Sequence, residues 1–110
     1  MRATPLRDEV WLINLDPTLG SEIKKTRPCL VVSPDEMNRH LQTIIVAPMT
    51  TTQRAYPTRV DLTFQRKGGQ VALDQVRTVD RSRMVKKLGK VSEQAAESVS
   101  VVLLEMFRRR

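Results

Sequence analysis

Cysteine and histidine are almost absent: Cys29 and His40 are single examples of each in 110 residues. One cysteine excludes an intramolecular disulfide and any cysteine-based zinc cluster. One histidine excludes a histidine-pair mechanism within one chain, and no metal or cofactor site is expected. No apolar run approaches the ~18 residues that a membrane span needs. The first seven residues contain no apolar core of a secretory signal, so the expected compartment is the reducing cytoplasm. Glycines number only four, and no repeat, low-complexity tract or linker is visible. This length leaves no room for two cores, so residues 1–110 are expected to form one domain.

What is present is ordinary for a folded chain, with 40% hydrophobic and 28% charged residues. The charge is skewed. Residues 1–55 carry seven basic and six acidic side chains, residues 56–110 twelve and six, and the net charge is +7. A basic half suits a polyanion, because each neutralised phosphate releases counterions.

Short β-rich runs follow one another between turn signals. Val10–Leu15 ends at Asp16-Pro17, a turn pair. Cys29–Ser33 and Thr43–Ala47 are continuous apolar runs, the pattern of strands buried on both faces. Thr58–Phe64 alternates, with Val60, Leu62 and Phe64 on one side and Arg59, Asp61 and Thr63 on the other. Gln70–Leu73 follows an expected Gly68-Gly69 turn, and Met84–Val91 reads as a last, bent strand. Ser33-Pro34-Asp35-Glu36 predicts a short helix to His40, with Ser33 as N-cap and Glu36 closing a capping box. Ala96, Val99, Leu103 and Met106 predict a helix over about Ser92–Phe107. Strands followed by a helix, without βαβ alternation, imply a mainly β fold: a small antiparallel barrel with a C-terminal helix and a short inserted one. So small a core favours burial against a second copy.

Four polar segments exceed what packing requires: Asp16–Glu22, Lys24–Pro28, Pro48–Thr52 and Asp74–Arg83. Taken in order, DPTLGSE (16–22), KKTRP (24–28), a buried strand, APMT (47–50), LDQVRTVDRSR (73–83) and KKLG (86–89) resemble the MazF/PemK family of toxin endoribonucleases. The likeness runs from about Arg7 to the C-terminal helix. It implies an SH3-like, PemK-type β-barrel that works as a homodimer. It implies metal-independent, ribosome-independent cleavage of single-stranded RNA at specific sequences, with mRNA the expected class. It also implies neutralisation by a cognate antitoxin through an acidic C-terminal tail. By position, Arg27 and Thr50 match the family's catalytic arginine and threonine. Glu22 matches an acidic site residue, and Asp74-Gln75 a DQ pair near the site. Some relatives carry an arginine two positions before that aspartate and a histidine before the loop glutamate. Ala72 and Ser21 stand there in this chain, which favours an Arg27/Thr50 version of the chemistry.

That chemistry suits the residue types. RNA carries its own nucleophile, the 2′-hydroxyl, so the protein must orient the strand and stabilise charge on the phosphoryl oxygens. Arg27 offers a planar fork of donors that matches phosphate, and Thr50 a hydroxyl donor. Glu22 is the first candidate for the base and Asp74 the second. Lys24, Lys25, Thr26, Thr51, Tyr56, Asp74, Gln75, Arg77, Arg81 and Arg83 are the candidate RNA contacts. Tyr56 is a better stacking platform than Trp11, which lies in an apolar strand. Simpler roles stand beside these: a Glu22 ion pair with Lys24 or Lys25, turn-forming roles for Asp74 and Gln75, a surface His40 and an inert, buried Cys29. Two other functions remain open, a gyrase-poisoning toxin of the same barrel superfamily and a non-catalytic RNA-binding barrel.

Overall fold

A computed structural model describes residues 3–110 of the chain. Seven strands form a single antiparallel system: β1 (Glu9–Asn14), β2 (Thr26–Val31), β3 (Thr43–Thr50), β4 (Arg59–Phe64), β5 (Lys67–Ala72), β6 (Arg77–Asp80) and β7 (Met84–Lys90). Helix α1 (Asp35–His40) joins β2 to β3, and α2 (Glu93–Phe107) closes the chain. The strand order is β4-β5-β3-β2-β1-β7, with β6 also paired to β3. This sheet curls into a half-barrel, the mainly β fold with two helices that the sequence predicts. Across its open side the Gln65 carboxamide donates to the Leu88 carbonyl at 2.9 Å, joining the β4–β5 turn to β7.

The continuous apolar runs are explained by burial on both faces. Cys29 and Val31 pack with Trp11, Ile13, Ile44 and Val46 on one side of the sheet. Leu30 and Ala47 pack with Val60, Val71 and Leu73 on the other, where the Ala96, Val99, Leu103 and Met106 stripe of α2 seals the core. β7 is bent as expected, with two register shifts against β1. Ser92 caps α2 by accepting the Ala95 N–H at 3.2 Å.

Three local expectations fail. Ser33 does not cap α1: Pro34 occupies that position, with no side-chain cap. The Ser33 hydroxyl is instead buried, donating to Asn38 Oδ1 at 2.5 Å and accepting the Ile45 N–H at 3.1 Å. With Ser33 so engaged there is no capping box, and Glu36 pairs with Arg39 and His40 on the surface. The β4–β5 turn is made by Gln65 and Arg66, both at positive φ, and not by Gly68-Gly69, which lie inside β5. Gly69 serves close approach instead, since a Cβ there would fall 2.7 Å from the Thr50 carbonyl oxygen.

Candidate active site

The site is built around the end of β3. Its first half pairs with β6, through Val46↔Arg77, and its last residues pair with β5, through Met49↔Val71 and Thr50↔Gln70. Between these pairings the facing chain leaves the ladder as a 3₁₀ turn, Leu73–Gln75. The interruption lies opposite Pro48, which has no N–H to offer a partner strand. Asp74 and Gln75 are thereby thrown out of the sheet beside the end of β3.

On its other edge β3 pairs with β2 through Cys29↔Pro48. Continuing that register by two residues sets Arg27 across from Thr50 on the same face. The two line one open cavity of about 170 Å³ together with Thr51, Lys67 and Gly69. The Arg27 Nε donates to the Lys24 carbonyl at 2.8 Å, which steers the guanidinium while leaving its two terminal nitrogens without a partner among the described residues. Thr50 Oγ1 accepts the Thr52 N–H at 3.1 Å. A hydroxyl that accepts in this way keeps its proton for donation. The pair therefore presents a fork and a hydroxyl to whatever enters the cavity.

Glu22 lies in a second cavity, of about 500 Å³, whose wall includes Pro48, Asp74, Gln75 and Arg77. Its Oε1 accepts the Leu19 N–H at 3.0 Å. Neither Lys24 nor Lys25 forms an ion pair with it among the described residues. Gln75 holds this loop from across the groove: its Oε1 accepts the Ile23 N–H at 2.8 Å and its Nε2 donates to the Ser21 carbonyl at 3.2 Å. Glu22 sits between the two peptide groups so held.

Asp74 is engaged elsewhere. Its carboxylate takes two hydrogen bonds from Arg59, at 2.7 and 3.2 Å, and one from the Thr58 hydroxyl at 3.2 Å. Partial burial pushes its pKa up, but the Arg59 hydrogen bond and its charge outweigh that and hold the carboxyl below its usual range. A carboxylate so stabilised is a poor proton acceptor. Arg59, on the alternating strand's polar side, is itself nearly buried, with 6% of its side chain exposed. Its guanidinium lies 5.2 Å from the ring centroid of Tyr56, and Tyr56 remains half-exposed in the β3–β4 loop.

The arginines of the fourth segment spread along the sheet. Arg77 lines the Glu22 cavity and donates to the Leu15 carbonyl at 3.0 Å. Arg83 donates to the carbonyls of Asn14 and Asp16, bracing the β1–β2 loop. Arg81 donates to the carbonyls of Asn38 and Leu41 at the end of α1. That places it beside the start of β3, at the opposite end of the strand from Thr50. Lys24, Lys25 and Thr26 are exposed at the entrance to β2. His40 is exposed, and Cys29 is buried, its thiol pushed up to about 12 by that burial.

Three further residues shape the site although nothing in the sequence marks them as functional: Gly69, Gln70 and Arg59. Gln70 carries a buried carboxamide that bonds the β3–β4 loop. Its contact lies 16 positions back along the chain, so no local pattern signals it. Among the described residues no three His, Cys, Asp or Glu side chains gather as metal ligands. No helix there is long and apolar enough to cross a membrane.

Residues 6–107 match the family described as PemK-like, MazF-like toxin of type II toxin–antitoxin system. The chain is similar to Endoribonuclease PemK of Escherichia coli, 38% identical over 93 residues, which cover 79% of this chain and 70% of that protein. Among solved structures it resembles MazF from Deinococcus radiodurans, with a TM-score of 0.86 and 26% identity over 98% of this chain and 100% of that one. It also resembles an endoribonuclease from a mycobacterial species, solved in complex with its cognate antitoxin, with a TM-score of 0.78 and 26% identity over 92% of each chain.

Proposed function

Because the chain belongs to the family of PemK-like, MazF-like toxins of type II toxin–antitoxin systems, we propose that it is an endoribonuclease that cleaves single-stranded RNA by using the RNA's own 2′-hydroxyl. The observation that carries this reading is the pairing of Arg27 with Thr50 in one cavity, with the two terminal guanidinium nitrogens and the hydroxyl proton without a partner among the described residues. In the reaction the 2′-oxygen bonds to phosphorus and the bond from phosphorus to the 5′-oxygen breaks. Arg27 and Thr50 donate to the non-bridging oxygens as their charge grows. Glu22 takes the 2′-hydroxyl proton through the oxygen that Leu19 does not occupy, and water supplies a proton to the departing 5′-oxygen. The products are a 2′,3′-cyclic phosphate and a 5′-hydroxyl, and no metal, cofactor or ribosome takes part. Asp74 is set aside as the base because Arg59 and Thr58 occupy its carboxylate.

RNA, with mRNA the expected class, lies along Ser21–Arg27, Thr50–Tyr56 and the 74–77 end of the fourth segment, whereas Arg81 is held away at the far end of β3. Lys24, Lys25, Thr26, Thr51 and Arg77 line its path, and Tyr56 offers a ring for a base. These exposed loops carry the sequence preference. The cognate antitoxin covers the same groove with an acidic, partly disordered tail, for which the net charge of +7 is the electrostatic complement. The chain acts in the cytoplasm as one domain and pairs with a second copy. Exposed apolar side chains on α2, with Leu104 at 70% and Phe107 at 71%, support that pairing.

The test is cleavage by Arg27→Lys and Thr50→Val. Each is expected to lose about 10²–10³-fold in rate, with the melting temperature little changed because both side chains are partly exposed. Wild-type rates in both variants would overturn the assignment. Toxicity surviving the loss of Arg27 would favour the gyrase-poisoning reading instead.

A further inference from the structure

One buried polar side chain beside the proposed site has no part in the chemistry just described. Gln70, in β5, is 5% exposed, and both ends of its carboxamide are used. Oε1 accepts the Arg54 N–H at 3.0 Å, while Nε2 donates to the Arg54 carbonyl at 3.1 Å and to Asp61 Oδ1 at 2.8 Å. A carboxylate only accepts, so Asp61 fixes which end of the amide faces it. Binding both the N–H and the C=O of one residue is what a neighbouring strand would do. Here a side chain does it for a loop that has left the sheet.

Gln70 also pairs with Thr50 through the backbone ladder. The segment Thr50–Arg54 is therefore tied to one residue at both of its ends. Within it, Thr50 Oγ1 accepts the Thr52 N–H. Gly69 next door leaves the room for this close approach.

We propose that Gln70 is a positioning residue for Thr50: its carboxamide closes Thr50–Arg54 into a tied loop and so fixes the hydroxyl aimed into the cavity. It borders the cavity, but both of its N–H hydrogens and its oxygen are already engaged by Arg54 and Asp61, so it has no hydrogen to donate to RNA. It governs turnover and leaves RNA affinity nearly unchanged. The inference rests on Thr50 serving cleavage, as argued above.

The experiment combines Gln70→Leu with Thr50→Val on a single-stranded RNA of known cleavage site, together with hydrogen exchange of the Arg54 amide. In the wild-type background, Gln70→Leu is expected to lower kcat about 10- to 100-fold, because a misplaced group loses rate steeply. KM is expected to stay within about threefold. In the Thr50→Val background, the same substitution is expected to cost less than about twofold, since two groups acting as a unit are not additive. The Arg54 amide should exchange faster in Gln70→Leu. Asp61→Ala, at an exposed position, loosens the same carboxamide without disturbing the core, and is expected to show a smaller loss that also vanishes with Thr50→Val. A Gln70→Leu protein with undiminished kcat, or losses that multiply in the double variant, overturns the proposal; if Gln70→Leu does not fold, the same outcomes in Asp61→Ala do so. A wild-type protein that leaves RNA intact defeats the nuclease reading itself, which is a different result from wild-type cleavage with an unaffected variant.

Discussion

Asp74→Asn separates a structural carboxylate from a catalytic one. The substitution keeps the shape of the side chain and removes its charge, leaving the Arg59 guanidinium, with only 6% of its side chain exposed, without a counter-ion. Breaking a fully buried pair by removing one partner costs roughly 3–5 kcal/mol. Asp74 keeps 28% of its side chain exposed, so solvent screens part of that, and a loss of about 2–3 kcal/mol is expected. For a chain of this size that is a fall of about 8–12 °C in melting temperature. The sign with pH follows from the lowered pKa of the carboxyl. Its contribution is complete above the ordinary aspartate value and fades as pH falls through the lower value of the folded state. The gap between wild type and Asp74→Asn should therefore be constant near neutrality and close in acid. Thermal unfolding across pH measures this, and a cleavage assay at a temperature where both proteins are folded supplies the other half. Cleavage within about tenfold of wild type is expected, since Arg59 and not RNA holds this carboxylate. A variant that melts like wild type but has lost cleavage by more than about 10²-fold would refute the reasoning and make Asp74 the base.

Gly69→Ala places a Cβ 2.7 Å from the Thr50 carbonyl oxygen. The β5 backbone must move, and both a stability loss of about 1–3 kcal/mol and reduced cleavage are expected in paired melting and kinetic measurements. Glu9 is buried, bonding Lys87 at 2.8 Å and the Trp11 indole at 3.0 Å. Burial raises its pKa, but those bonds and the Leu6 N–H outweigh this and lower it, so Glu9→Gln should destabilise at pH 7 by about 1–2 kcal/mol. That difference should shrink in urea melts as pH falls through the folded-state value. The Cys29 thiol, pushed up to about 12 and buried, should resist alkylation in the native protein and react only on unfolding; fast labelling under native conditions would contradict its place in the core.

Much of the fold was legible because its signals are local. The apolar runs around Cys29 and Ile44 mark strands covered on both faces, and the three- and four-residue spacing from Ala96 to Met106 marks the helix. β6 was harder, since only Val79 of Arg77–Asp80 points into the core. The Gly68-Gly69 turn was misread because the sequence does not reveal that β5 must lie against the Thr50 backbone. Arg59 looked like a solvent-facing member of an alternating strand; the return of the chain at Asp74 and the Tyr56 ring engage it instead. Arg27 and Thr50 were found by resemblance, and the β2–β3 register supplies the physical reason they meet. The glutamine clamps were beyond reach: Gln75 bonds residues 52 and 54 positions away, and Gln70 one 16 away.

The central claim is that this chain cleaves RNA through the RNA's own 2′-hydroxyl, with Arg27 and Thr50 stabilising the charge. The most direct test incubates the purified, antitoxin-free protein with a long single-stranded RNA in excess EDTA, beside the same sequence with 2′-deoxy sugars, and reads the fragment ends. Cyclic-phosphate and 5′-hydroxyl ends are expected from the RNA, and no cut in the deoxy strand. Intact RNA with folded protein, or cleavage of the deoxy strand, would contradict that claim.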